Sequence, residues 1–289
     1  MMKNLTLHTL GAFLLAAGCT LVCAEVLAFN LGDELKKAVK ENVSEKDAGK
    51  LGAVVSVLGG TSEAEEIAIG RQIAGNLLGA SALVKDKRLQ KYVNNVGRWV
   101  ASQSERPDLP WHFGVIESND VNAFAAPGGY IFVTRGLYKK LRSEAELAGV
   151  LGHEIGHVIR QHHLKILQKS KLLDAGSGLV AKQAGDNPQV QKLIGSGAEI
   201  VARSLDKDAE FEADRIAVVL SARAGYDAYG LPAVLQEIGH YAKDEGQVAL
   251  LFKTHPAPDV RLDKLGQAMG DRFDGAKGKD VETRFYKLK

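Results

Sequence analysis

The chain has 289 residues, 45% of them hydrophobic, enough to bury a core in one large domain or two small ones. Charged residues make up 25%, but 37 Lys and Arg against 35 Asp and Glu leave a formal +2, so no positive field is available to hold a polyphosphate backbone and nucleic acid is not an expected partner. Both cysteines, Cys19 and Cys23, stand near the N-terminus, which excludes a disulfide framework and a thiol nucleophile in the remainder.

Lys3 followed by the apolar stretch Leu10 to Ala24 has the layout of a signal peptide over residues 1–24. The stretch is shorter than the roughly 20 apolar residues that span a membrane, so export to the periplasm or cell envelope is expected ahead of an uncleaved anchor. Two addresses remain open. Val22-Cys23-Ala24 resembles a small-residue cleavage site, whereas Ala16-Ala17-Gly18-Cys19 resembles a lipoprotein box in which Leu15 stands four residues before the cysteine instead of three.

Residues 25–61 read as a linker or N-terminal arm, with a short amphipathic stretch from Leu31 to Val43 and a break at Gly59-Gly60. A helix is expected from Ser62, whose Ser-Glu-Ala-Glu opening supplies an N-cap and acids in the first turn, with Ile67, Ile69, Ile73, Leu77 and Leu78 at helical spacing. A second runs from about Asp86 to Ser102, burying Leu89, Tyr92, Val93, Val96 and Val100. Trp111 to Ile116 reads as a strand, and 122–134 as two strands joined at Pro127-Gly128-Gly129, together a small antiparallel sheet whose Pro-flanked segments lie at an edge. Ser143-Glu144-Ala145-Glu146 has capping-box spacing and opens a helix continuing to about Leu167. Further helices are expected at about 171–184, 188–204, 206–224 and 229–242. The fold class is α+β, mostly α, without internal repeats or low-complexity tracts, and residues 62–289 form its folded domain.

The chemistry concentrates on His153-Glu154-Ile155-Gly156-His157. Two imidazoles four residues apart lie about 40° apart around a helix, so both reach one metal from one face. Glu154 beside them stands where a general base takes a proton from a metal-activated water. The preceding apolar run (Ala145, Leu147, Ala148, Val150, Leu151) argues that this helix is buried, and Gly156, at about 1 kcal/mol of helix propensity, predicts close approach of another backbone or of the sheet. A catalytic zinc needs a third protein ligand. Glu210 is the candidate, and Asp214 one turn on shares its face, placed to orient a ligating imidazole, while Glu212 points about 200° away. The bland alternatives are capped or solvated histidines on an ordinary helix and a solvated acidic helix face. His162 and His163 fall about 180° and 280° around the helix from His153, so sharing its metal would need the helix to end, and they read as surface residues. His112 and His240 receive no role, and Trp99 and Trp111 read as core or rim.

His153-Glu154-x-x-His157 paired with Glu210-Phe211-Glu212-Ala213-Asp214 resembles the gluzincin zinc metallopeptidases that include the CAAX prenyl proteases, the HtpX-type proteases and periplasmic proteases linked to β-barrel assembly. Asn122-Ala123-Phe124 with Pro127-Gly128-Gly129, and Thr254-His255-Pro256 followed by Arg261, are similar to further motifs of that family, so the resemblance covers about residues 62–268. It is closest to the soluble, exported branch. The resemblance implies a zincin-like fold with a small antiparallel sheet packed on the active-site helix, one zinc per chain, protein or peptide substrates, and outer-membrane assembly components as partners. It also implies that Asn122, Ala123 and Phe124 hold substrate as an added β-strand, that His255 sits on a loop able to cover the zinc, and that Arg261 supports that loop or the oxyanion. A purely structural turn is the alternative for His255 and Arg261. No tetratricopeptide-like docking repeat is expected after the catalytic region.

The expected function is therefore a zinc-dependent endopeptidase of misfolded or unassembled envelope proteins. The competing expectation is a zinc-stabilised periplasmic chaperone or scaffold that binds unfolded proteins along the same edge without cutting. Membrane association through an N-terminal lipid or an uncleaved anchor is compatible with both.

Overall fold

In the computed structural model, residues 61–168, 205–241, 246–276 and 278–288 are described. The expected leader, the arm and the helices at about 171–184 and 188–204 lie outside the described residues. Those described belong to one unit, Thr61–Lys289.

Helix α1 (Glu63–Ala80) starts as its sequence predicts: Ser62 Oγ accepts the Glu65 amide at 3.3 Å while the Glu65 carboxylate accepts the Ser62 amide at 2.9 Å. Its buried stripe differs from the isoleucine pattern. Glu66, Gly70, Ile73 and Ala74 face inward, whereas Ile67, Ile69, Leu77 and Leu78 are half-buried. The cause is the backbone it packs against, since a Cβ on Gly70 would stand 1.7 Å from the Pro127 carbonyl oxygen. Helix α2 (Lys87–Ala101) is capped by Asp86, which accepts from the Arg88 and Leu89 amides, and it buries Leu89, Val93, Val96 and Val100.

Strands β1 (His112–Ile116), β2 (Ala123–Ala126) and β3 (Tyr130–Thr134) form one sheet in the order β1-β3-β2. The β2–β3 pair is antiparallel as expected, but β1 lies parallel to β3, so the sheet is mixed. The reason is that β3 inserts between β1 and β2, and the strand antiparallel to β1 is therefore not its hydrogen-bonded neighbour. Strand β2 is an edge. The β2–β3 connection is a single 3₁₀ turn, Pro127–Gly129, in which Gly128 (φ 72°) and Gly129 (φ 92°) take left-handed conformations that favour glycine.

After the short α3 (Arg135–Lys140), helix α4 (Glu144–Ile159) runs through the centre and is buried from Glu144 to Val158. Ser143 Oγ accepts the Glu146 amide, but the Glu146 carboxylate turns to the Arg142 amide at 2.6 Å, one residue upstream of a reciprocal capping box. Helix α4 ends eight residues short of the expected Leu167. Gln161 adopts φ 55°, a left-handed break after which residues 162–168 are again helical.

Helix α5 (Lys207–Arg223) lies antiparallel along α4, with Gly156 against Ala213 and Gly152 against Ala217; a Cβ on either glycine would meet the partner backbone at 3.0 and 3.1 Å. This is the close approach that Gly156 predicts. Helix α6 (Gly230–Gly239) crosses the same helix where Gly149 faces the Leu231 amide, and α7 (Ala249–Thr254) and α8 (Pro258–Met269) complete the wall. Among the described residues no helix is long and apolar enough to cross a membrane.

Candidate active site

One turn of α4 presents His153 and His157, with their Nε2 atoms 3.0 Å apart. The antiparallel α5 delivers Glu210 to the same point: Oε2 lies 3.6 Å from His153 Nε2, and Oε1 lies 3.5 Å from His157 Nε2. All three side chains are buried. Ligands about 2.05 Å from a tetrahedral zinc are about 3.3 Å from one another, so this donor set has the right spacing for one ion. Glu210 Oε1 is buried and has no hydrogen-bond partner, and two imidazole nitrogens face each other beside it. A buried carboxylate oxygen without a donor is costly in a closed protein interior, and a cation between these groups removes that cost. The residues therefore fit a metal ion.

His255, the residue capping α7 at its C-terminal end, joins the cluster: its Nδ1 is 2.7 Å from Glu210 Oε2, and ligand atoms of His153, His157, Glu210 and His255 all lie within 4.8 Å of one another. Burial alone would raise the Glu210 carboxyl, but the charge and hydrogen bond of His255, followed by His153 and Arg261, bring it down to about 2. Burial pushes the His157 imidazole well below its ordinary value, keeping it neutral and able to ligate.

One turn beyond Glu210, Asp214 Oδ1 lies 2.9 Å from His153 Nδ1. Arg261 of α8 clamps the same carboxylate, donating from Nε to Oδ2 at 3.0 Å and from Nη2 to Oδ1 at 2.5 Å. Burial raises the Asp214 carboxyl, yet the Arg261 charge outweighs it and holds Asp214 well below the usual carboxylate range. Asp214 Oδ1 is thus placed to accept from His153 Nδ1, an arrangement that would leave Nε2 for a metal, and Arg261 Nη2 stands 3.2 Å from the same Nδ1. Arg261 holds that acceptor in place.

Glu154 is buried beside His153, and burial pushes its carboxyl up, against the opposing charges of His153 and His255. It lines a cavity of about 30 Å³ together with His153, His255, Arg261 and Ala123; aliphatic side chains from α4, α6 and α7, among them Val150, Leu231, Leu235 and Leu251, close the rest. That volume admits about one or two waters and no peptide. Ala123 is the member of the expected substrate strand that reaches the cavity wall. Phe124 is half-buried, and Asn122 is fully buried with both side-chain polar atoms unpartnered, its backbone tied to Thr134 across the sheet.

His162 and His163 are not surface residues; they are 6% and 7% exposed and pack their rings against His157. The left-handed turn at Gln161 ends the helix and redirects them inward. His112 stacks on Tyr130, His240 is exposed, Trp111 is buried and Trp99 stands 53% exposed. Sequence reasoning also missed Glu66. Fully buried, it accepts from Arg106, from the Gly128 amide at 3.0 Å and from Gln161 Nε2 at 2.9 Å, joining α1, the β2–β3 turn and the end of the active-site helix.

Residues 87–269 match the profile of peptidase family M48. The chain is 30% identical over 219 residues to the beta-barrel assembly-enhancing protease of Escherichia coli (strain K12), covering 70% of this chain and 45% of that protein. It is 31% identical over 187 residues to the mitochondrial metalloendopeptidase OMA1 of Arabidopsis thaliana, covering 64% and 37%, respectively. With metalloprotease YcaL of Escherichia coli (strain K12) it shares 27% over 194 residues, 66% of this chain and 73% of that one. The chain thus spans under half the length of the beta-barrel assembly-enhancing protease.

Proposed function

The chain belongs to peptidase family M48, and from that premise we propose that it is a zinc-dependent endopeptidase of the cell envelope, holding one zinc through His153, His157 and Glu210. The observation that carries this reading is the convergence of two Nε2 atoms on a buried carboxylate whose Oε1 has no other partner.

Zinc, when bound, lowers the pKa of a coordinated water towards about 7 and polarises the scissile carbonyl. Glu154, raised by burial, accepts the proton of the attacking water and passes it to the departing amine. Asp214 keeps His153 in the tautomer that offers Nε2, and Arg261 keeps Asp214 ionised and in place. The free side of β2 at Ala123 and Phe124 takes an extended peptide as a further strand, leading it to the Ala123 wall of the cavity, while Asn122, whose backbone N–H and carbonyl are both bonded to Thr134, anchors the start of that strand.

The resting enzyme is closed. His255 occupies the position from which it both contacts Glu210 and completes a four-residue donor set, and the cavity beside Glu154 is too small for a peptide. Cleavage then requires the His255 loop to move. Substrates are misfolded or unassembled envelope proteins, and outer-membrane assembly components are partners, a reading supported by the name of the beta-barrel assembly-enhancing protease. Export by the N-terminal leader, with either a soluble or a lipid-anchored product, completes the proposal.

The same closed cavity favours the second reading, a zinc-stabilised scaffold that binds without cutting. Zinc content and casein cleavage of the full chain and of His255→Ala separate them. One zinc per chain with faster cleavage in His255→Ala supports a gated peptidase; one zinc with no cleavage in either supports the scaffold.

A further inference from the structure

The two histidines of the His-Glu-x-x-His motif are held from behind by different chemistry. His153 Nδ1 meets Asp214, but the Nδ1 of His157 meets another imidazole, His162 Nδ1, at 2.9 Å. On its far side His162 Nε2 faces Glu212 Oε2 at 3.4 Å, and Glu212 forms an ion pair at 2.9 Å with Arg160, which in turn pairs with Glu105. The row runs from a fully buried site out to a half-exposed carboxylate.

We propose that His162 is a positioning residue for the metal site, a neutral imidazole acceptor that fixes the tautomer and ring plane of His157 and is itself oriented by Glu212. This rests on the reading of His153, His157 and Glu210 as ligands. The proton bookkeeping allows one arrangement. With Nε2 of His157 turned to the metal, its Nδ1 carries the hydrogen and donates to the bare Nδ1 of His162. His162 then carries its hydrogen on Nε2, directed at the Glu212 carboxylate. Moving the hydrogen of either ring to its other nitrogen would set two N–H groups or two lone pairs against each other in a buried place. The break at Gln161 creates the contact: on a continuous helix His162 would lie about 140° around the axis from His157, whereas the left-handed turn returns it beneath the ring.

The test compares zinc affinity, by chelator competition, and the Co(II) absorption spectrum in the full-length wild type, His162→Asn, His162→Leu, Glu212→Ala and the His162→Leu/Glu212→Ala double variant. The Oδ1 of asparagine can replace Nδ1 as acceptor, and leucine cannot. Expected are zinc affinity within about threefold of wild type for His162→Asn, a loss of about 10- to 100-fold for His162→Leu, and a smaller loss for Glu212→Ala that disappears in the His162→Leu background. The Co(II) bands should shift in His162→Leu and stay in place in His162→Asn. Glu212 is half-exposed, so the Glu212→Ala single variant reports even if a core variant folds poorly, and wild-type affinity in it would overturn the proposal. Equal affinity in wild type and His162→Leu, equal losses in the Asn and Leu variants, or additive losses in the double variant would overturn the proposal. Failure of the wild type itself to bind zinc would instead overturn the ligand assignment beneath it.

Discussion

Replacing Arg261 with leucine should unsettle the molecule more than any exposed charge change, and by an amount the structure lets one work out. Arg261 is 4% exposed, Asp214 is 1% exposed, and two charge-assisted hydrogen bonds join them. Leucine leaves the Asp214 carboxylate buried with His153 as its remaining named partner, and stranding one member of such a pair costs about 3–5 kcal/mol. For a domain of this size, a loss of 1 kcal/mol lowers the melting temperature by about 2–4 °C, so the metal-free variant should melt about 6–20 °C below wild type. The double variant Arg261→Leu/Asp214→Leu buries no lone charge and should recover most of that loss. The pH dependence has a definite sign. Because Asp214 is depressed in the folded protein, its contribution is complete above about pH 5 and is lost as pH falls through about 4 towards the lower folded value. Arg261→Leu should flatten that acid limb of the melting curve. Thermal denaturation followed by circular dichroism, on chelator-treated protein across pH 2–7, reads all three effects. Melting of Arg261→Leu within about 2 °C of wild type, or a double variant as unstable as the single, would refute the reasoning.

His255→Ala should leave zinc bound and raise casein cleavage, since it removes the side chain over Glu210; unchanged or slower turnover would remove the closed-state account. Gly149→Ala would place a Cβ 2.6 Å from the Leu231 amide nitrogen, an overpacking cost of about 1–3 kcal/mol set against about 1 kcal/mol of gained helix propensity, so a lower urea midpoint is expected. Gly70→Ala, whose Cβ would meet the Pro127 oxygen at 1.7 Å, should cost more than Gly149→Ala on the same assay. Glu66→Ala leaves Arg106, Gln161 and the Gly128 amide without their shared acceptor, and faster hydrogen exchange at Gly128 is the expected sign.

What the sequence made legible was local. Ser62 with Glu65 and Asp86 before Leu89 fix their helix starts through contacts no more than three residues apart, and the Ser62 cap forms as expected. The spacing of His153 and His157, and of Glu210 and Asp214, works the same way, because one turn of helix decides which side chains share a face. That Gly156 has a close neighbour was legible too, since a glycine inside a strong helix implies one, whereas its identity as Ala213 depends on how the second helix returns. The parallel β1–β3 pairing was not, because strand order depends on where a chain returns after the 117–122 connection, and alternation within a strand carries no record of its neighbour. The break at Gln161 was equally hidden. A non-glycine residue in a left-handed conformation needs tertiary support, here in part the hydrogen bond from its side chain to Glu66, ninety-five residues away. Missing that bond meant missing the inward turn of His162 and His163.

The most direct test of the central claim is hydrolysis by Glu154→Gln measured beside its zinc content. Expected are wild-type zinc and a loss of cleavage of at least about 100-fold, because the glutamine amide cannot take the proton of the attacking water while both imidazoles and Glu210 remain. Cleavage by Glu154→Gln at the wild-type rate, with zinc in place, would contradict that claim.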